Sequence, residues 1–110
     1  MLARAAVKAM ARALALAALL AATGAAANGD QGKALFTKDA TPPCGVCHAL
    51  SAAGTSGTIG PSLDELKPDA ERVARVIRSG IGAMPPYPNL TDEQVKALAA
   101  YVAQASGGRK

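Results

Sequence analysis

The apolar positions of the chain fall into three helical stripes and one unbroken apolar block. Val73, Val76 and Ile77 recur at helical spacing among Glu71, Arg72, Arg75 and Arg78, the pattern of a helix with one buried face. Asp69 stands where such a helix needs an N-cap, and Gly80 where it must stop. Val95, Leu98, Ala99 and Val102 form a longer stripe. Its start is marked by Thr91 and Gln94, spaced as a capping box, and its end by Gly107-Gly108. The first stripe is Gly32, Leu35 and Phe36, with Asn28 as N-cap. It runs to about Lys38 before Pro42-Pro43 prevents continuation. Residues 49–62 are rich in Gly, Ser and Thr and read as loop, and no run alternates convincingly as a strand. The expected fold class is all-α, three to four helices joined by loops, with no internal repeat or linker.

The apolar block is of another kind. Arg4, Lys8 and Arg12 lead into Ala13-Leu14-Ala15-Leu16-Ala17-Ala18-Leu19-Leu20-Ala21-Ala22, and Ala25-Ala26-Ala27 precede the polar Asn28-Gly29-Asp30. The run is shorter than the roughly 20 apolar residues a membrane-spanning helix needs. A basic start, a short apolar middle and a small-residue exit make the secretory signal pattern. An amphipathic or buried helix is the competing reading, but no acidic residue occurs before Asp30 and the block is uninterrupted. Residues 1–27 are therefore expected to be a cleaved signal peptide, and residues 28–110 the folded domain. Retention of the segment as a membrane anchor is the lesser alternative; after cleavage nothing would span the membrane.

Removing that segment changes the composition. The whole chain carries 12 Lys/Arg against 8 Asp/Glu, a formal charge of +4; without Arg4, Lys8 and Arg12 the balance is nine against eight, or +1. The basic character therefore belongs largely to the leader, and nothing points to nucleic acid. What remains has only Phe36, Tyr87 and Tyr101 as aromatics. A domain of this size buries a limited fraction of its surface and commonly needs a disulfide, a metal or a cofactor to complete its core.

The two cysteines and the single histidine of the chain fall within five residues, Cys44-Gly45-Val46-Cys47-His48. Cys-x-x-Cys-His is the attachment sequence of c-type haem. Two thiols three positions apart reach the two vinyl groups of one porphyrin, and the adjacent imidazole is placed under the iron as proximal ligand. A structural disulfide would close too short a loop to stabilise much. A thioredoxin-like pair would want a preceding strand, and a closed zinc site four ligands where three exist.

With this motif the chain resembles the small single-haem class I cytochromes c of bacteria, over nearly all of residues 29–105. The resemblance implies the cytochrome c fold wrapped around one covalently bound haem c. It implies a methionine downstream as sixth ligand, and the domain has one, Met84, in the Gly- and Pro-rich segment Ser79-Gly80-Ile81-Gly82-Ala83-Met84-Pro85-Pro86-Tyr87. It implies that the Pro61 carbonyl, in Thr58-Ile59-Gly60-Pro61-Ser62-Leu63, accepts a hydrogen bond from the proximal His48, and that Leu63 packs on the ring; a plain surface turn is the alternative for Gly-Pro. It further implies a tight crossing of the first and last helices, Gly32 and Phe36 against Tyr101. The cofactor would lie among Leu63, Ile77, Met84 and Leu98, supplying the missing core. Arg78 or Lys67 is a candidate partner for a haem propionate, with a solvated charge an equal alternative.

The function so implied is a periplasmic single-electron carrier with His48 and Met84 as the iron's two axial ligands. It would shuttle between a donor dehydrogenase or respiratory complex and an acceptor such as a terminal oxidase. Partners would be transient redox proteins docking near Gly45, Val46, Ala83, Pro85 and Pro86. Haem carboxylates bring the net charge to about neutral, so steering would be weak, with Lys33, Lys38 or Arg78 biasing orientation. The alternatives are a haem subunit of an exported dehydrogenase and, lacking a second histidine as acid-base group, a peroxidase or gas-binding protein.

Overall fold

A computed structural model describes residues 28–109. The segment expected to be a signal peptide lies outside the described residues. Four helices and a minimal two-stranded ladder follow one another: α1 (28–34, continuing as a wider π-turn through Leu35–Asp39), β1 (Ala49–Leu50), β2 (Thr55–Ser56), α2 (Leu63–Leu66), α3 (Ala70–Ser79) and α4 (Asp92–Ser106). Among the described residues no helix is long and apolar enough to cross a membrane.

The helix ends follow local chemistry. Asp69 caps α3 by accepting the Arg72 N–H at 2.8 Å, and Gly80 leaves the helix at φ 68°. Thr91 and Gln94 make both bonds of the capping box, at 3.1 and 2.9 Å. After α4, Gly107 turns left-handed and the Gly108 N–H reaches back to the Ala103 carbonyl at 2.7 Å, satisfying an end carbonyl as a Schellman turn does. The N-cap expected at Asn28 is not there: Asn28 is itself helical, and the residues before it lie outside the described ones. The π-turn closes through Ala40 N–H to Leu35 O at 3.1 Å, just before the proline pair.

A two-stranded ladder interrupts the loop expected over residues 49–62, and α2 follows it before α3. Ala49 pairs with Ser56 and Leu50 with Thr55, antiparallel. Strands of two residues are too short to show alternation in a sequence. The single turn of α2 is likewise too short for a periodic signal, and it stops at Lys67, a non-glycine residue at φ 47°.

The core forms where α1 crosses α4. Gly32 permits the approach: a Cβ there would stand 2.5 Å from both the Ala97 carbonyl oxygen and the Tyr101 Cβ. One turn on, the Phe36 and Tyr101 rings meet edge to face with centroids 6.2 Å apart. Phe36, Leu50, Val95 and Leu98 are fully buried, and Leu35, Ala40, Leu63, Ile77, Tyr87 and Val102 complete the cluster. This crossing holds α4 as a wall against which the site is built.

Candidate cofactor site

The cysteine-histidine segment is one tight turn. Cys44–Val46 form a 3-10 turn in which both the Cys47 and the His48 N–H donate to the Cys44 carbonyl, at 3.2 and 3.0 Å. A turn of this pitch brings residues three apart to one side, and Cys44 and Cys47 both line the same cavity. Two glycines let other backbone close on it. A Cβ at Gly57 would lie 2.6 Å from the Cys47 carbonyl carbon and the Val46 oxygen, and one at Gly45 would collide with the Thr55 side chain. The ladder locks the exit: Thr55 Oγ1 donates to the His48 carbonyl at 2.9 Å and accepts the Leu50 N–H at 3.1 Å.

The His48 ring is held by Gly60-Pro61. Nδ1 lies 2.8 Å from the Pro61 carbonyl oxygen. A carbonyl only accepts, so Nδ1 carries the hydrogen, and in the neutral ring Nε2 keeps its lone pair for a metal. Gly60 lies flat against the imidazole: a Cβ there would be 2.5 Å from Cε1 and 2.8 Å from Nδ1. The turn itself is tied to the cysteine segment by Gly60 N–H to Cys47 O at 2.8 Å.

Met84 comes from a different segment, the tight turn Ile81–Met84. It is closed by Ile81 N–H to Met84 O at 3.1 Å and Met84 N–H to Ile81 O at 2.9 Å. Gly80 must be a glycine twice over, since φ is 68° and a Cβ would lie 2.8 Å from the Met84 carbonyl oxygen.

These residues converge on an apolar cavity of ≈390 Å³, within the ~300–1,000 Å³ of small-molecule and cofactor sites. All six residues singled out by the sequence, Cys44, Cys47, His48, Pro61, Leu63 and Met84, line it, as do Ile77 and Leu98. The donor set fits a haem. Among the described residues no group of three or more His, Cys, Asp or Glu side chains could hold a metal ion, whereas a metal arriving with its own planar ligand would need only donors such as His48 and Met84. Cys44 and Cys47 are unpaired. Burial pushes the Cys44 thiol up to about 11, with a smaller push from Cys47, so before attachment it stays neutral at ordinary pH.

Some lining residues were not legible in advance. Among the described residues Arg72 is the one charged side chain on the cavity wall. The cations proposed for a propionate lie elsewhere: Arg78 pairs with Asp92 at 3.3 Å, and neither it nor Lys67 lines the cavity. Tyr87 also lines it, its hydroxyl donating to the Pro42 carbonyl at 2.7 Å. Ile59 and Ile81 stand on the wall yet remain 77% and 66% exposed, and Val46 between the cysteines is 57% exposed. Of the expected docking residues, Val46, Ala83, Pro85 and Pro86 are exposed, while Gly45 is half-buried against Thr55.

Comparison with known proteins agrees with this fold. The family described as cytochrome c oxidase, cbb3-type, subunit III matches residues 27–102. The chain is similar to the crystal structure of the c-type cytochrome SorU from Sinorhizobium meliloti: 44% identical, covering 74% of this chain and 93% of that one, TM-score 0.71. No curated protein sequence matches it significantly.

Proposed function

Since the chain belongs to the c-type cytochrome family, electron-transfer proteins with covalently bound haem, we propose that it is an exported single-electron carrier in which His48 and Met84 are the two axial ligands. The observation that carries this reading is the convergence of Cys44, Cys47, His48 and Met84 on one apolar cavity. When bound, the haem supplies the one-electron couple. Cys44 and Cys47 anchor it from a single turn, and His48 offers Nε2 in an orientation set by Pro61 and Gly60. Met84, carried on its own closed turn, would supply the second ligand to the haem iron. A thioether in that position favours the reduced state relative to more basic ligands, and with both positions filled no substrate site is open.

Val46, Ile59 and Ile81 leave an apolar rim beside the cavity. A small apolar face suits brief encounters with redox partners better than a permanent assembly. The donor would be a dehydrogenase or respiratory complex and the acceptor a terminal oxidase or reductase. The basic, apolar and small-residue order of residues 1–27 supports export, and hence a periplasmic site of action.

The test is the absorption spectrum of the holoprotein, oxidised and reduced, beside Met84→Ala. The wild type should show a sharp c-type band on reduction and the weak far-red charge-transfer band of methionine-ligated ferric haem. Met84→Ala should lose the far-red band and bind carbon monoxide. A wild type that is high-spin and binds carbon monoxide unaided would reject the carrier reading.

A further inference from the structure

The segment bearing Met84 is hinged on α3 at both ends. Gly80 N–H donates to Val76 O at 2.7 Å, and Tyr87 N–H to Ile77 O at 2.9 Å. Between these anchors the Ile81–Met84 turn, among the described residues, bonds only to itself. A flap attached along one edge can pivot about that edge. Among the described residues, one hydrogen bond joins it to the segment that carries the cysteines: the Tyr87 hydroxyl donates to the Pro42 carbonyl at 2.7 Å, across 45 positions of sequence. Tyr87 is only 8% exposed while Pro42 is exposed, so this bond is partly sheltered from competing water. Its ring is also the one residue shared by the wall of the haem cavity and that of a neighbouring cavity of ≈320 Å³, whose lining includes Gln31, Asp39, Asn89 and Gln94.

We propose that Tyr87 is a positioning residue for Met84, its hydroxyl strapping the methionine flap to Pro42 so that the sixth ligand is retained against exogenous ligands. The inference rests on the reading of Met84 as axial ligand. Loss of the hydroxyl leaves the ring, the wall and the α3 anchors in place and removes only the strap. The flap then swings more readily, and a small neutral ligand competes better for the position Met84 leaves.

The experiment uses the ferric holoprotein, titrated with imidazole and followed at the far-red band, for wild type, Tyr87→Phe and Val95→Ala. Val95 is buried in the α4 core and does not line the cavity, so its truncation lowers global stability and leaves the Tyr87–Pro42 hydrogen bond in place. Tyr87→Phe should keep the far-red band without imidazole and lose it at about fivefold to tenfold lower imidazole than wild type, the factor of one hydrogen bond. Val95→Ala should titrate like wild type while melting earlier. Equal midpoints for Tyr87→Phe and wild type would overturn the proposal, as would an equal shift in Val95→Ala. A wild type without the far-red band would overturn the ligand reading itself, and the proposal with it.

Discussion

The His48 imidazole is held edge-on by Pro61, whose carbonyl accepts from Nδ1 at 2.8 Å, and face-on by Gly60, whose missing Cβ would lie 2.5 Å from Cε1. No side chain fits between that backbone and the ring. Gly60→Ala should therefore tilt the imidazole or displace the turn, costing about 1–3 kcal/mol as overpacking does. The holoprotein should melt earlier, and its ferric spectrum should show weakened axial ligation. Unchanged melting and an unchanged spectrum would mean the turn gives way freely.

A cavity of ≈390 Å³ lined by Leu63, Ile77, Leu98 and Val102 is core that the polypeptide does not fill. At about 24 cal/mol per Å³ for a closed void, its upper bound is about 9 kcal/mol. That is the size of the whole stability of such a domain, about 4–12 kcal/mol at ordinary per-residue values. The Cys44→Ser, Cys47→Ser double variant, expressed without haem, should accordingly lack a cooperative thermal transition by circular dichroism. A sharp transition would show that the chain folds on its own.

At the helix crossing, the same substitution should act with opposite signs at two glycines of one helix. Gly32→Ala drives a Cβ into the Ala97 carbonyl and should destabilise by about 1–3 kcal/mol. Gly29→Ala, in open space on α1, should be neutral or stabilising by up to about 1 kcal/mol. Beside them, the Tyr101 hydroxyl is buried without a hydrogen-bond partner among the described residues. Tyr101→Phe should thus raise the melting midpoint by the equivalent of about 1 kcal/mol. Burial also raises the Tyr101 phenol above its ordinary 10.0. The folded state therefore favours the neutral phenol; this contribution is intact below pH 10.0 and is lost as pH rises through the folded value. Stability of the wild type should fall in that alkaline range, and more gently in Tyr101→Phe; denaturation followed from pH 8 to 11, about the phenol's range, checks both.

Arg72 is the one charge that the described residues place on the cavity wall, and haem brings two carboxylates. Removing the guanidinium leaves carboxylate charge uncompensated, which favours the ferric form. Arg72→Gln should lower the reduction potential by about 20–60 mV, a twofold to tenfold change in the ferrous-to-ferric ratio. Arg75→Gln, on the same helix but directed to Glu71 at 3.9 Å, should leave it unchanged. Spectroelectrochemical titration of the three proteins decides.

The amino-acid sequence by itself determined what is local. Cys44, Cys47 and His48 declare their chemistry because thioether and imidazole must reach one macrocycle from a single turn. The caps at Asp69 and Thr91 and the stripes of α3 and α4 are legible because a helix end or face is specified within a few residues. The tertiary structure alone decided which flank of α3 faces the cavity. Arg72 and Arg78 are both polar positions bordering the same stripe, and periodicity cannot say that Arg72 lines the cavity while Arg78 meets Asp92. It likewise decided the Tyr87–Pro42 bond, which joins residues 45 apart, and the ladder that steadies His48, whose strands are two residues long. Contacts between distant segments leave no periodic trace in either segment, since each depends on where the other is carried by the packing of α1 on α4.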